Sequence, residues 1–165
     1  MKQCSLRVKI IIILFIPLLG MSFSASQVVL EKHRIAKDMK KLVAIENLSI
    51  KISSLIHETQ KERGYTASFI GNKGKSFSKE LSSQHLHTDE KINELKQCID
   101  HQPLSSYGDQ FNASLSNGMY ALDQLQETRN RITRLKIKAT EALGYYTQMH
   151  SAFLDAILLC GRRKH

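Results

Sequence analysis

Between Gln27 and Ile70 the apolar residues Leu42, Ile45, Leu48, Ile52, Leu55 and Ile56 recur three and four positions apart, with no proline and Gly64 as the only glycine. That spacing predicts one long amphipathic helix. On a wheel of about 100° per residue with Ile45 at zero, Ile52 falls at about −20°, Ile56 at about +20°, Leu42 at about +60° and Leu55 at about −80°. Lys51, His57, Glu58 and Lys61 fall on the far side. The stretch "GNKG", Gly71 to Gly74, ends this helix and turns the chain. A second helix is predicted over 75–99, carrying Phe77, Leu81, Ile92, Leu95 and Ile99, with a polar middle that invites a kink and "HQPL" closing it at Pro103. A third carries Tyr107, Phe111, Leu115, Met119, Leu122, Leu125, Ile132 and Leu135. Gly118 lies inside it as a weak point of about 1 kcal/mol. Thr140 is the expected N-cap of a last helix, "EALGYYTQMHSAFLDAILL", striped by Tyr146, Met149, Phe153, Leu154 and Ile157. Short links between such helices predict an all-α, up-and-down antiparallel four-helix bundle.

Two arginines interrupt this pattern. Arg63 lies five turns past Ile45 and returns to about 0°, with Ile70 at about −20° and Ala67 at about +40°. A guanidinium on an inward stripe is expensive to bury without a partner. The small residues Gly64, Thr66 and Ala67 would let a neighbouring helix approach closely, which is the geometry of a small anion pocket. Arg129 repeats the situation, flanked on its own wheel by Leu122, Leu125 and Ile132. The pattern leaves three fates open for each: a buried carboxylate such as Asp89 or Glu141, an escape to the bundle end, or an external anion.

The N-terminus adds an anchor. Lys2, Arg7 and Lys9 accompany "IIIILFIPLLGMSF", which Val8 and Ala25 lengthen to about 18 residues, the lower end for a membrane span. Positive charge ahead of the run predicts a cytoplasmic N-terminus. Small residues in "SFSAS" offer a cleavage site as the alternative; an uncleaved anchor is preferred because Ser26 onward continues as helix. The expected layout is therefore residues 1–26 as cytoplasmic N-terminus and transmembrane or signal-anchor helix, 27–160 as a periplasmic helical domain, and 161–165 as a basic tail. That places the protein in the inner membrane as a single-pass chain.

Composition narrows the chemistry. With only two prolines in 165 residues, helices are favoured. The net charge of +9 is spread along the chain without interleaved aromatics, so no nucleic-acid partner is expected. Cys4, Cys98 and Cys160 form no C-x-x-C motif. His85 and His87, two apart on a helix, diverge by about 200° and cannot share a metal. No nucleophile elbow or phosphate loop is present. The chain is expected to be no enzyme and to carry no cofactor, metal site or catalytic residues.

"LIHETQKERGYTASFIGNKGKSF", then "LSSQHLHTDEKI", and later "LQETRNRITRLKIKATEALGYYTQM", resemble the NIT domain, the nitrate- and nitrite-sensing module of bacterial receptors including methyl-accepting chemotaxis receptors. Gln60, Glu62, Arg63, Gly64, Thr66, Ala67, Phe69, Gln84, Thr88 and Asp89 carry the first part of the match. Arg129, Ile132, Glu141, Ala142, Tyr146 and Thr147 carry the second. The resemblance implies an all-helical fold of two four-helix bundles and nitrate or nitrite held by arginines, here Arg63 and Arg129. Gly64, Thr66 and Ala67 would support that pocket. His85 stands where the family has arginine. "LLCGRRKH" falls about where the family's second bundle begins, so a truncated receptor or a free-standing half-sensor is expected. The alternative is a non-sensing helical bundle that self-associates or pairs with other receptor chains.

Overall fold

The computed structural model describes residues 6–102 and 107–162, and the side chains of 6–14, 16–18, 25 and 160–162 lie outside the description. Residues 1–5, Pro103 and residues 163–165 of the basic tail therefore fall beyond it, as do most side chains of the expected membrane anchor. Among the described residues no helix is long and apolar enough to cross a membrane. The helices are α1 (Leu6–Gly71), α2 (Ser78–Asp100), α3 (Asp109–Asp123), α4 (Leu125–Thr133) and α5 (Ala139–Arg162). The chain divides into two units, Met1–Val43 and Ala44–His165. In the first, Val28, Ile35 and Leu42 recur every seventh residue and are exposed, with Met39 beside them.

The second unit holds the core. Side-chain pairs fix its topology. Between α1 and α2, Glu58 meets Gln84 at 2.7 Å, Lys51 meets Glu94 at 2.9 Å, and the Ala44 carbonyl accepts from Gln102 at 3.1 Å. Positions climb on one helix as they fall on the other, so the two run antiparallel. Thr59 with His150 and Glu62 with Tyr146 give the same sense for α1 and α5. Ala121 with Tyr145, and Arg131 with Glu141, give it for α5 against α3 and α4. The expected all-helical, four-segment bundle is present, with a turn at Gln124 dividing the third segment into α3 and α4.

Several local expectations need correction. α2 runs unbroken through its polar middle from Ser78, three residues later than expected. Thr140 lies inside the first turn of α5 and does not cap it. The inward face of α1 is the seven-residue repeat Leu48, Ile52, Leu55, Thr59, Glu62, Thr66 and Phe69, all buried. A strict heptad drifts about 20° per repeat against a 100° wheel. The inward stripe therefore moves away from the azimuth of Ile45, and Arg63 ends on its flank, half-buried.

The first turn needs glycine at Gly74. There φ is +75°, and a Cβ would stand 3.3 Å from Leu135 and 3.4 Å from the Phe69 ring. Gly118 is needed for a different reason. A Cβ there would lie 2.7–2.9 Å from the Phe153 ring, so glycine is what lets α3 and α5 close on each other. Gly118→Ala should destabilise the protein by on the order of 1 kcal/mol or more in urea unfolding, because overpacking against a fixed ring outweighs the gain in helix propensity. Gly144→Ala, on open surface of α5, should instead stabilise it by up to about 1 kcal/mol.

Candidate functional site

Four of the seven heptad positions on α1 carry Leu, Ile or Phe, and the three between Leu55 and Phe69 are polar: Thr59, Glu62 and Thr66. Glu62 is 0 % exposed. Its carboxylate accepts from Arg129 twice, Nε to Oε1 at 2.8 Å and Nη2 to Oε2 at 2.7 Å, the paired geometry a guanidinium makes with a carboxylate. Tyr146 donates its hydroxyl to Oε1 at 2.8 Å. Arg129, 4 % exposed, gives Nη1 to Asp89 at 2.6 Å and approaches the His85 carbonyl at 3.4 Å. His85 Nε2 stands 3.6 Å from Glu62, beyond hydrogen-bond reach. Around the same cluster Nε2 of His85 is buried without a hydrogen bond, and the buried hydroxyls of Thr66, beside Tyr146, and Thr88, beside Glu62, make no well-aligned one.

The charge balance explains the protonation states. Burial pushes the Glu62 carboxyl up, but the Arg129 hydrogen bonds and charge outweigh it and hold the acid below its usual range. Burial pulls Arg129 down, and Glu62 followed by Asp89 more than restores it. Burial, then the charge of Glu62, drives the Tyr146 phenol well above its usual range, so it serves as a donor. Burial lowers His85, with Glu62 opposing.

The expected anion-binding arginines therefore part company. Arg129 is committed to Glu62 and Asp89, and in this arrangement it has no nitrogen turned toward an outside anion. The carboxylate partnership that the wheel left open is the one it takes, with Asp89 as expected and Glu62 unforeseen. Glu141 pairs with Arg131 on the surface instead. Arg63 is half-buried on the α5 side of α1 and makes no hydrogen bond or ion pair among the described residues. Gly64 is exposed with nothing within 4 Å of a built Cβ, so among the described residues no helix comes alongside it and it lines no pocket. Thr66 is buried against the Tyr146 region, and Ala67 is half-buried.

Sequence reasoning missed Glu62, Tyr146, Thr59 and His150 as parts of one polar interior. The readable signal was the heptad continuing through polar residues. Tyr146, expected as packing, is a buried hydroxyl donor, and its neighbour Tyr145 donates to the Ala121 carbonyl at 2.6 Å. A concavity lies elsewhere, a groove of about 530 Å³ between α3 and α5 lined by Ser114, Tyr120, Gln124 and Tyr145 among others. Its one charged lining residue is Asp155, so it does not suit an anion.

An antiparallel helical bundle with a polar ion pair at its centre is the class this geometry defines. The chain belongs to the NIT family, nitrate and nitrite sensing, whose profile matches residues 54–162. No curated protein matches the chain significantly. Among solved structures it is similar to the NasR transcription antiterminator, with a TM-score of 0.71 and 19 % identity over 77 % of this chain and 34 % of that one. That likeness shows a shared fold, and this chain spans about a third of the NasR chain's length.

Arg129→Met should cost about 3–5 kcal/mol of stability, because it leaves the Glu62 carboxylate buried without its partner. Pairing it with Glu62→Leu should restore most of that loss, which chemical unfolding of the single and double variants measures. Because the folded Glu62 acid is held low, its contribution is present above the unfolded carboxyl pKa of about 4.3 and is lost as pH falls through the folded value. The stability gap between wild type and Glu62→Gln should accordingly shrink on acidification below about pH 4.

Proposed function

We propose that this chain is a membrane-anchored, periplasmic sensory module that recognises nitrate or nitrite through Arg63, and that it does no catalysis. One observation carries the reading: a half-buried guanidinium, in a chain of the nitrate and nitrite sensing family, that no carboxylate neutralises among the described residues. Nitrate is planar, weakly hydrated and singly charged, and a guanidinium meets such an anion with two parallel hydrogen bonds. Arg129 acts one step back. It neutralises Glu62, so the carboxylate one residue away from Arg63 does not compete for its charge. The apolar N-terminal run supplies the anchor.

Self-association belongs to the same reading. The exposed repeat of Val28, Ile35 and Leu42, with Met39 beside it, is the seam that a second copy of the chain would cover by coiled-coil packing.

A thermal melt of the full-length chain with millimolar potassium nitrate, at ionic strength held constant with chloride, tests the anion. At one hundred times Kd the fold gains about 2.7 kcal/mol, which is an upward shift of several degrees. Arg63→Ala should abolish the shift and leave helix content by circular dichroism unchanged. No shift, or an equal one in chloride alone, counts against the proposal. For the seam, sedimentation equilibrium should show wild type associating and Ile35→Lys falling toward monomer.

A further inference from the structure

His150 is a buried base, 6 % exposed, on the α1 side of α5. Its Nε2 lies 2.9 Å from the Thr59 hydroxyl. That hydroxyl directs its own hydrogen at the Leu55 carbonyl, 2.8 Å away, with the Ile56 carbonyl at 3.0 Å. Thr59 is left to accept, so the hydrogen-bond pattern assigns the hydrogen to Nε2 of His150 and a lone pair to Nδ1. Arg63 stands one turn beyond Thr59 on the same flank of α1. Helical side chains lean toward the N-terminus of their helix, which brings Arg63 back toward the level where Thr59 meets His150.

The charges around this imidazole are one-sided. Among the described residues, the charge that bears on it is the Arg63 guanidinium of α1. Burial first, and then the charge of Arg63, hold it below the ordinary histidine range and keep it neutral. His85, by contrast, sits among Glu62, Arg129 and Asp89. Whatever cancels the charge of Arg63 removes one of the two obstacles to a proton on His150. An anion within reach of Nδ1 goes further, because the new N–H would donate to it.

We infer that His150 is a proton-linked partner of Arg63 in the anion site: an oxyanion entering beside Arg63 draws one proton from solvent onto Nδ1, and binding tightens as the solution acidifies. This rests on the anion reading of Arg63. It adds a second recognition group and a dependence on external pH.

The test is isothermal titration of potassium nitrate into the full-length chain from pH 8 to pH 5.5, in buffers of different ionisation enthalpy. Wild type should take up a proton on binding, and Kd should fall by up to about tenfold per pH unit across the titration. His150→Gln should bind with a flat pH profile, and His85→Gln should keep the wild-type slope. Proton NMR of the imidazole in wild type should show the His150 midpoint rising when nitrate is added, a reading that stands even if His150→Gln does not fold. Nitrate binding that Arg63→Ala abolishes but that is independent of pH, with an unmoved His150 midpoint, overturns this inference and leaves Arg63 as the anion residue. Absence of nitrate binding to wild type at every pH overturns both.

Discussion

Glu62 is a carboxylate shut away from the protein surface, and the bundle is organised by what that requires. Both of its oxygens accept from Arg129, and one also accepts from Tyr146. Arg129 in turn reaches Asp89 on α2. Four helical segments, α1, α2, α4 and α5, thus meet in one cluster, with Glu62 linking α1 to α4 and α5 and Arg129 carrying the link on to α2. Desolvating an ion pair offsets most of its attraction, so the pair is weak as a source of net stability. Its effect is on which packing is allowed. Sliding α4 by one residue along α1 would strand both charges in the interior, a penalty no apolar contact could hide. Leu48, Ile52 and Leu55 below it would tolerate such slips far better.

The same pair decides what its neighbour in sequence can do. Arg63 follows Glu62 directly, and a free carboxylate there would draw its guanidinium or blunt its field. With Glu62 already neutralised by Arg129, the nearest remaining acid of the cluster is Asp89, whose side chain is 48 % exposed and screened by solvent. The positive charge of Arg63 is therefore left over on the α5 flank of α1, close enough to His150 to depress its basicity. One arginine holds the fold and the other keeps its charge available.

The helices, their antiparallel order and the family were legible in the sequence because they are written in periodic and contiguous residues. The depth of Arg63 was not, because a wheel started at Ile45 treats the helix as a straight 3.6-residue repeat. Packing on α1 follows a 3.5-residue repeat, and over five turns the two descriptions separate enough to move a residue from the centre of the face to its edge. Polar residues hid the true stripe: Thr59, Glu62 and Thr66 hold inward positions that a hydrophobic pattern skips. Glycines misled in both directions. Gly64 looked like a contact and faces open space, whereas Gly118 looked like a flaw and is where the Phe153 ring seats. Single-helix periodicity cannot tell these apart, since the difference lies in which helix comes alongside.

An anion held by Arg63 would act on the seam between α1 and α5. The polar contacts across that seam are Thr59 with His150 and Glu62 with Tyr146, about one turn apart. A ligand shifts a conformational balance only by its difference in affinity between two packings. Changes at the outer edge of the seam reach the centre through Tyr146, which donates to the same oxygen that receives Arg129 Nε. A rotation of α1 against α5 that improved the anion's hold would have to lengthen or re-aim the Tyr146 bond. The Glu62–Arg129 pair, fixed by two bonds, would resist it. The interior would thus set the stiffness against which an anion at the flank had to work, through the same three bonds that fix the packing of α1, α4 and α5.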